Sequence, residues 1–404
     1  MSQASLTIRP MRADDDLDAE IDLRHRSFGP MDMANREYWR EEMLQCIAVG
    51  RQFGTWDDRG QMIGTARYHD MQQYWHGRPV RMAGVGGVKV APEARGRGVG
   101  RAMMTALLRE MAERGYALSV LYPATARIYR SLGWELAGGN YRAEVPGRTL
   151  GALLGPDLGP VEVHRATPED AEAVIAVLGA VHTRARDCGP ATRDPASVRR
   201  WLADPDLFSY LAEDGFLAYG WLGDSDKAIL VEALQAGSPR TTSALWRIVA
   251  SHASVTEVVH ANVGPADPLT WLTSEADVSL TRLRHWMLRV LDPVAAIEGR
   301  GFPAAAQASM QLQLSDPDLP ANAGCYRLAV AAGKGSLTRD ETEPPANSAS
   351  NPLVAFGPRG FAALYAGVPM ATLRAAGLAA GGDQDADAAL DTVFAAQSFL
   401  LDYF

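Results

Sequence analysis

The chain has 404 residues, of which 47% are hydrophobic and 22% charged, a globular composition long enough for two or three domains with a sizeable core. Its formal net charge of −9 argues against general affinity for nucleic acid and favours a cationic partner such as an amine. No apolar run approaches the ~18 residues that span a bilayer, and the opening Met-Ser-Gln-Ala-Ser-Leu-Thr-Ile-Arg-Pro lacks a signal peptide's apolar core, so no membrane association and a cytoplasmic protein are expected.

The first block, residues 1–147, has a mixed α/β order. A strand is expected at 6–9, helices at 16–27 and 37–49, and strands at 52–56, 62–69 and 81–90. Then comes Val-Lys-Val-Ala-Pro-Glu-Ala-Arg-Gly-Arg-Gly-Val-Gly, residues 88–100, the most informative stretch of the chain. Pro92 cannot continue a strand ladder, and Gly96, Gly98 and Gly100 free the backbone to turn its amides toward an anion. Met104, Leu107, Leu108 and Met111 fall at i, i+3, i+4, i+7, so a helix starts at about Val99 and stops at Gly115. Its first-turn amides have no intrahelical partners and lie at the positive end of the dipole, where a pyrophosphate is held by backbone and by Arg95, Arg97 or Arg101. No Gly-Lys-Ser/Thr follows, which excludes a Walker loop, and no acidic residue ends the next strand at 118–122, which argues against a dinucleotide fingerprint. A short helix is expected near 126–132.

The second block repeats the first in outline. Val161-Glu-Val-His-Arg-Ala-Thr-Pro-Glu-Asp matches Leu6-Thr-Ile-Arg-Pro-Met-Arg-Ala-Asp-Asp in pattern and placement, strands are expected at 216–222 and 227–234, and a loop-to-helix segment begins at Ser238. The loop glycines are missing there, so this copy, residues 160–290, is expected to be a scaffold that cannot grip pyrophosphate. A third unit, 292–404, reads as a helix at 293–300, strands at 311–314 and 326–331, a polar loop at 339–352, and helices at 360–365, 371–376 and 385–396. The apolar ending Ser-Phe-Leu-Leu-Asp-Tyr-Phe is unlike a frayed terminus and should be docked. Cys46, Cys188 and Cys325 are widely spaced, odd in number and form no Cys-x-x-Cys pair, so buried thiols are expected rather than disulfides, and neither they nor the histidines show metal-ligand spacing.

The spacing Arg95-x-x-Gly98-x-Gly100 after Val88-x-Val90-x-Pro92 resembles the acetyl-CoA loop of GCN5-related N-acetyltransferases. With Ile128-Tyr129-Arg130-x-x-Gly133-Trp134, Asp267-Pro268-Leu269, the run from Leu288-Arg289-Val290 to Val294–Phe302, and the final Phe404, the whole chain resembles the Eis-like (enhanced intracellular survival) acetyltransferases. The resemblance implies two tandem acetyltransferase folds, the second degenerate, followed by a sterol-carrier-protein-like α/β domain. It implies acetyl transfer from acetyl-CoA directly to a primary amine of a small molecule, such as an aminoglycoside-like one, or of a lysine, by a hexamer without a metal. Acetyl-CoA is then expected at Val88, Lys89, Val90, Arg95, Gly96, Arg97, Gly98, Val99, Gly100 and Arg101, with Ala124 and Thr125.

Backbone amides at 88–90 are the expected donors to the thioester carbonyl. Tyr129, one residue past a core-facing Ile128, points toward the cleft and, with a phenol pKa near 10, supplies the thiolate's proton. The family's base is the α-carboxylate of the last residue, here Phe404. With a reference pKa of about 3.3 to 3.7 it is a weak acceptor, which burial by an apolar tail improves. Family members that acetylate aminoglycosides carry an acidic residue just before the final phenylalanine, whereas Tyr403 stands here with Asp402 one place earlier. The acceptor wall is expected from 24–39, including Phe28, Met31, Met33, Tyr38 and Trp39. The alternative is a non-catalytic carrier using the sterol-carrier-like domain.

Overall fold

The computed structural model describes residues 6–153, 158–223, 227–340 and 353–402. The first block contains β1 (Thr7–Pro10), α1 (Leu17–Phe28), α2 (Met33–Ala48), β2 (Gln52–Trp56), β3 (Met62–Trp75), β4 (Arg78–Val90), α3 (Val99–Glu113), β5 (Leu118–Leu121), α4 (Ala126–Arg130), β6 (Glu135–Pro146) and α5 (Gly147–Leu150). Asp16 and Asp32 open α1 and α2 by accepting first-turn amides, which leaves fewer donors unpaired at those ends. β3 and β4 extend past the expected strands to a two-residue turn at His76 and Gly77, both at positive φ, as a tight hairpin needs. Gln72 and Gln73 hid this extension, yet Gln73 is fully buried because its amide nitrogen donates to the Gly189 carbonyl at 2.8 Å.

The second block contains β7 (Val163–Arg165), α6 (Ala171–Ala185), β8 (Ala191–Thr192), α7 (Pro195–Leu202), β9 (Leu207–Ala212), β10 (Gly215–Leu222), β11 (Ala228–Ala236), α8 (Pro239–Ala250), β12 (Val258–Val263), α9 (Leu269–Leu272) and β13 (Ser279–Val290). The blocks do not keep separate sheets. Strand β13 enters between β5 and β6, antiparallel to both, and β6 pairs onward with β12, giving one 13-stranded sheet among the described residues. Both faces of β13 are covered: Trp286, Leu288 and Val290 pack beneath the third unit, and Met287 packs in the core of α3. Arg289 on the same strand is buried, and its Nη2 donates to both carboxylate oxygens of Asp316 at 2.7 Å, which ties the sheet to the third unit.

That unit contains α10 (Pro293–Gly299), β14 (Ala308–Leu314), β15 (Gly324–Ala331), β16 (Lys334–Asp340), β17 (Val354–Phe356), α11 (Pro358–Tyr365), α12 (Met370–Ala375), β18 (Ala379–Gly381) and α13 (Gln384–Val393). Its strands run in the order β16-β15-β14-β17-β18. Arg339 and Asp340, expected in a loop, belong to β16, whose single buried apolar side chain, Leu337, offers no alternation to read. The rest of that expected loop, 341–352, lies outside the described residues. All three cysteines are buried and unpaired. No helix among the described residues is long and apolar enough to cross a membrane, and no cluster of potential metal ligands occurs among them.

Candidate active site

Strand β4 runs parallel to β5 only as far as Val85 and Leu121. Beyond that point residues 86–90 pair with β3 alone, so β4 and β5 part and leave a cleft edged by the backbone of Val88, Lys89 and Val90. The Lys89 side chain turns away from the cleft. Its ammonium pairs with Glu20 at 2.5 Å, both side chains fully buried, and burial lowers its pKa to about 8. The Trp39 indole donates to the other oxygen of Glu20 at 3.0 Å, and its ring carries the guanidinium of Arg67 3.9 Å from its centroid. Thus Lys89 offers the cleft its backbone, while its side chain braces the strand from behind.

Beyond β4, Pro92–Ala94 form one turn of 3-10 helix and the chain swings into α3 through Gly96 and Gly98, at φ 74° and 83°. A Cβ at Gly96 or Gly98 would meet nothing within 4 Å, so the loop faces open space and its glycines are needed for conformation rather than room. Gly100 differs, because its Cβ would lie 3.0 Å from Ile128. Helix α3 has no side-chain cap, leaving the amides of Val99, Gly100 and Arg101 to an external acceptor. In the second block the equivalent end of α8 is capped by Ser238, which accepts from the Thr241 amide. The three loop arginines are not equivalent. Arg95 donates to the Val90 carbonyl at 3.2 Å and Arg101 to Ser131 at 2.7 Å and 2.9 Å. Arg101 also lies 3.5 Å from Asp318, so it is a strut between α3, α4 and the third unit. Arg97 alone is exposed with no partner among the described residues.

Ala124 and Thr125 are exposed at the entrance to α4. The burial on α4 differs from that expected: Ile128 is only partly buried, against Gly100, whereas Tyr129 is 6% exposed and its ring packs edge-on to Trp134. The Tyr129 hydroxyl has no hydrogen bond among the described residues, and burial pushes its pKa up to about 12, so it stays protonated at neutral pH.

The docked tail is the feature whose partners sequence reasoning missed. The Phe399 amide donates to the Cys188 carbonyl at 3.1 Å and the Leu400 amide to the Gly139 carbonyl at 3.0 Å. Asn140 donates to the Leu400 carbonyl at 3.0 Å, Tyr122 to the Asp402 carbonyl at 2.6 Å, and Arg193 pairs with the Asp402 carboxylate at 3.0 Å. Gly138 and Gly189 permit this approach, since a Cβ on either would fall 2.4 Å or less from a tail carbonyl oxygen. Tyr403 and Phe404 lie outside the described residues; the described chain ends with Asp402 on Tyr122, one residue past β5. A cavity of about 270 Å³ opens beside Leu401 and Asp402, walled by Leu178, Val198, Trp201 and Glu232. Of the expected acceptor wall, Phe28, Met33 and Tyr38 stand 49% or more exposed. No sequence spacing marks Tyr122, Asn140 or Arg193; they become visible only when the tail lies on them.

A split parallel strand pair, an uncapped helix behind a left-handed glycine loop and a partly degenerate repeat define an acyl-CoA-type acetyltransferase fold. Acetyltransferase (GNAT) domain families match residues 7–137 and 189–290, and a sterol carrier protein domain family matches 293–401. The crystal structure of a GCN5-related N-acetyltransferase from Kribbella flavida is 39% identical with a TM-score of 0.91, covering 100% of this chain and 99% of that one. An uncharacterized N-acetyltransferase of Streptomyces avermitilis is 28% identical over 92% of both chains. N-acetyltransferase Eis of Mycobacterium tuberculosis is 28% identical over 69% of this chain and 71% of its own. Eis1 from Mycobacterium abscessus, at 22% identity, shares the fold with a TM-score of 0.77 over 98% and 100% of the two chains. The chain belongs to the GCN5-related N-acetyltransferases, and it is an acetyltransferase.

Proposed function

We propose that the protein transfers acetyl from acetyl-CoA directly to a primary amine of a small molecule or a lysine. The α3 amides, with Arg97, hold the pyrophosphate. The β4 backbone at 88–90 donates to the thioester carbonyl, where negative charge grows in the transition state. Tyr129 gives its proton to the departing thiolate, and the carboxylate of Phe404 receives the proton of the attacking ammonium. The observation that carries this reading is the tail, which Gly139, Asn140, Cys188 and Arg193 of two blocks hold in place as it reaches Tyr122, between the end of β5 and the helix of Tyr129. Asp402 is already neutralised by Arg193, so the acidic group nearest the chain end is not offered to a polycation, which favours a monoamine acceptor over an aminoglycoside.

On this reading residues 1–147 are catalytic, 160–290 are scaffold and 292–404 deliver the carboxylate, in a cytoplasmic hexamer whose mass light scattering measures. The deciding experiment follows thiol release from acetyl-CoA with a panel of amines, for the protein as it stands and with a few residues appended after Phe404. The extension turns the carboxylate into a neutral amide, so activity should collapse with the circular dichroism spectrum unchanged. A folded, extended protein of full activity would move the base to a side chain.

A further inference from the structure

The Asp267-Pro268-Leu269 motif has no part in the chemistry above. It lies in the wall of a cavity of about 880 Å³ where the second block meets the third, shared with the end of α6, Trp246 of α8 and the end of α13. None of its lining residues belongs to the 88–101 loop or to α4. The volume is that of a pocket for a drug-sized molecule.

Charge in the cavity is one-sided. Asp187, Asp267 and Asp391 line it. The one basic residue with a permanent charge in the wall, Arg186, spends a donor on the Phe302 carbonyl at 3.2 Å. His76 is bonded to the Ala395 carbonyl at 2.7 Å, and burial lowers its pKa. Asp187 is engaged by His182 at 2.8 Å and Asp391 by the Met370 amide at 2.7 Å. Among the described residues Asp267 has a single hydrogen bond, 2.9 Å from the Leu269 amide to one oxygen, and its second oxygen has none. Burial, with repulsion from Asp187, pushes its pKa to about 6, the condition of a carboxylate that lacks a counter-charge. Trp246, Phe394 and Phe399 supply aromatic walls, surfaces that attract cations as well as hydrocarbon.

We propose that this cavity is a second ligand site, separate from the acetyl-transfer cleft, that binds an organic cation with an apolar body, its ammonium beside Asp267 and its hydrocarbon against Trp246 and Phe394. Benzyltrimethylammonium is the probe, because a quaternary nitrogen has the required charge and cannot be acetylated. Titration calorimetry of the full chain should show saturable binding at millimolar probe or below, unaffected by saturating CoA and by Trp201→Ala in the cleft-side cavity. Asp267→Asn, which keeps shape and the Leu269 bond, should weaken it by about tenfold or more. Ala266→Trp, which fills the cavity without changing its charge, should abolish it. Absence of saturable binding, wild-type affinity in either cavity variant, or loss of binding in Trp201→Ala would each overturn the proposal.

Discussion

The hydroxyl of Tyr122 donates a 2.6 Å hydrogen bond to the backbone carbonyl of Asp402, so the residue that follows β5 holds the chain 280 positions later. Tyr122 thereby links the tail to the cleft formed where β4 and β5 part. Tyr122→Phe keeps the ring and removes one donor, a change of about 1 kcal/mol. We expect kcat to fall roughly three- to tenfold, with acetyl-CoA affinity unchanged and faster hydrogen exchange at the Phe399 and Leu400 amides. Unchanged turnover and exchange would mean that this bond does not hold the tail.

Gly189 tests the whole strap. It sits at φ 109° with its missing Cβ 2.1 Å from the Phe399 carbonyl oxygen, so Gly189→Ala cannot keep the tail in place. Acetyl transfer should be lost while calorimetry still records acetyl-CoA binding at the distant loop. A folded variant with normal turnover would show the strap to be dispensable.

Tyr129→Phe should lower kcat by roughly 10²-fold or more with little effect on acetyl-CoA affinity, the scale of general acid catalysis. Because burial raises the phenol to about 12, the acid form persists well above the usual tyrosine range. Wild-type kcat should therefore show no loss from this group between neutral pH and about pH 10, and a wild-type-like rate in the Phe variant would leave Tyr129 as packing.

Gly98 lies at φ 83° with open space around its Cβ position, so substitution acts through backbone strain of about 1–2 kcal/mol and not through a clash with its surroundings. Gly98→Val should weaken acetyl-CoA binding by roughly tenfold, whereas Gly98→Asn, which enters the left-handed region more readily, should retain more affinity. Equal losses in the two variants would point to steric exclusion instead.

The buried Lys89–Glu20 pair predicts a thermodynamic asymmetry. Lys89→Met strands a carboxylate and should cost about 3–5 kcal/mol, whereas Lys89→Met with Glu20→Gln should cost much less. The folded-state pKa of Lys89, about 8, lies below the ordinary lysine value of 10.5, so between those values the unfolded chain binds more protons. Stability should rise with pH across that window and stay level below about pH 8, where Lys89 is protonated in both states. Chemical denaturation at pH 7 and pH 10 checks this; a double variant that keeps the full pH slope would assign the slope elsewhere.

Asp267 gives the opposite sign. Its folded-state pKa of about 6 lies above the ordinary 3.8, so ionisation opposes folding, and stability falls as pH rises from about 4 to 6. Asp267→Asn should therefore raise the melting temperature at pH 7.5 and lose that advantage near pH 4. A variant no more stable at pH 7.5 would show that solvent already relieves the carboxylate.

What could be read from residues alone was local or patterned. The glycine loop and α3 are legible because Gly96 and Gly98 must take left-handed φ and the apolar stripe repeats within one helix, both decided within about a dozen neighbours. The second block's lack of a phosphate loop is legible for the same reason: Ser238 occupies the turn and caps its own helix. The apolar ending announced that the tail docks, since hydrocarbon seeks cover wherever it lies along the chain.

Where it docks was decided only in three dimensions. Gly139, Cys188, Tyr122 and Arg193 meet residues 398–402 across more than 200 positions of sequence, and no periodicity records which carbonyl an amide will find. The insertion of β13 between β5 and β6 is of the same kind, because an apolar run such as Trp286-Met-Leu states that both faces are covered without naming the neighbours. So are the burial of the Tyr129 ring and the capture of Arg101 by Ser131 and Asp318. Sequence determined which segments were helix, loop or buried strand through local sterics and hydrophobic pattern; tertiary packing chose the partners, because hydrogen bonds and close contacts depend on distances that the fold alone creates.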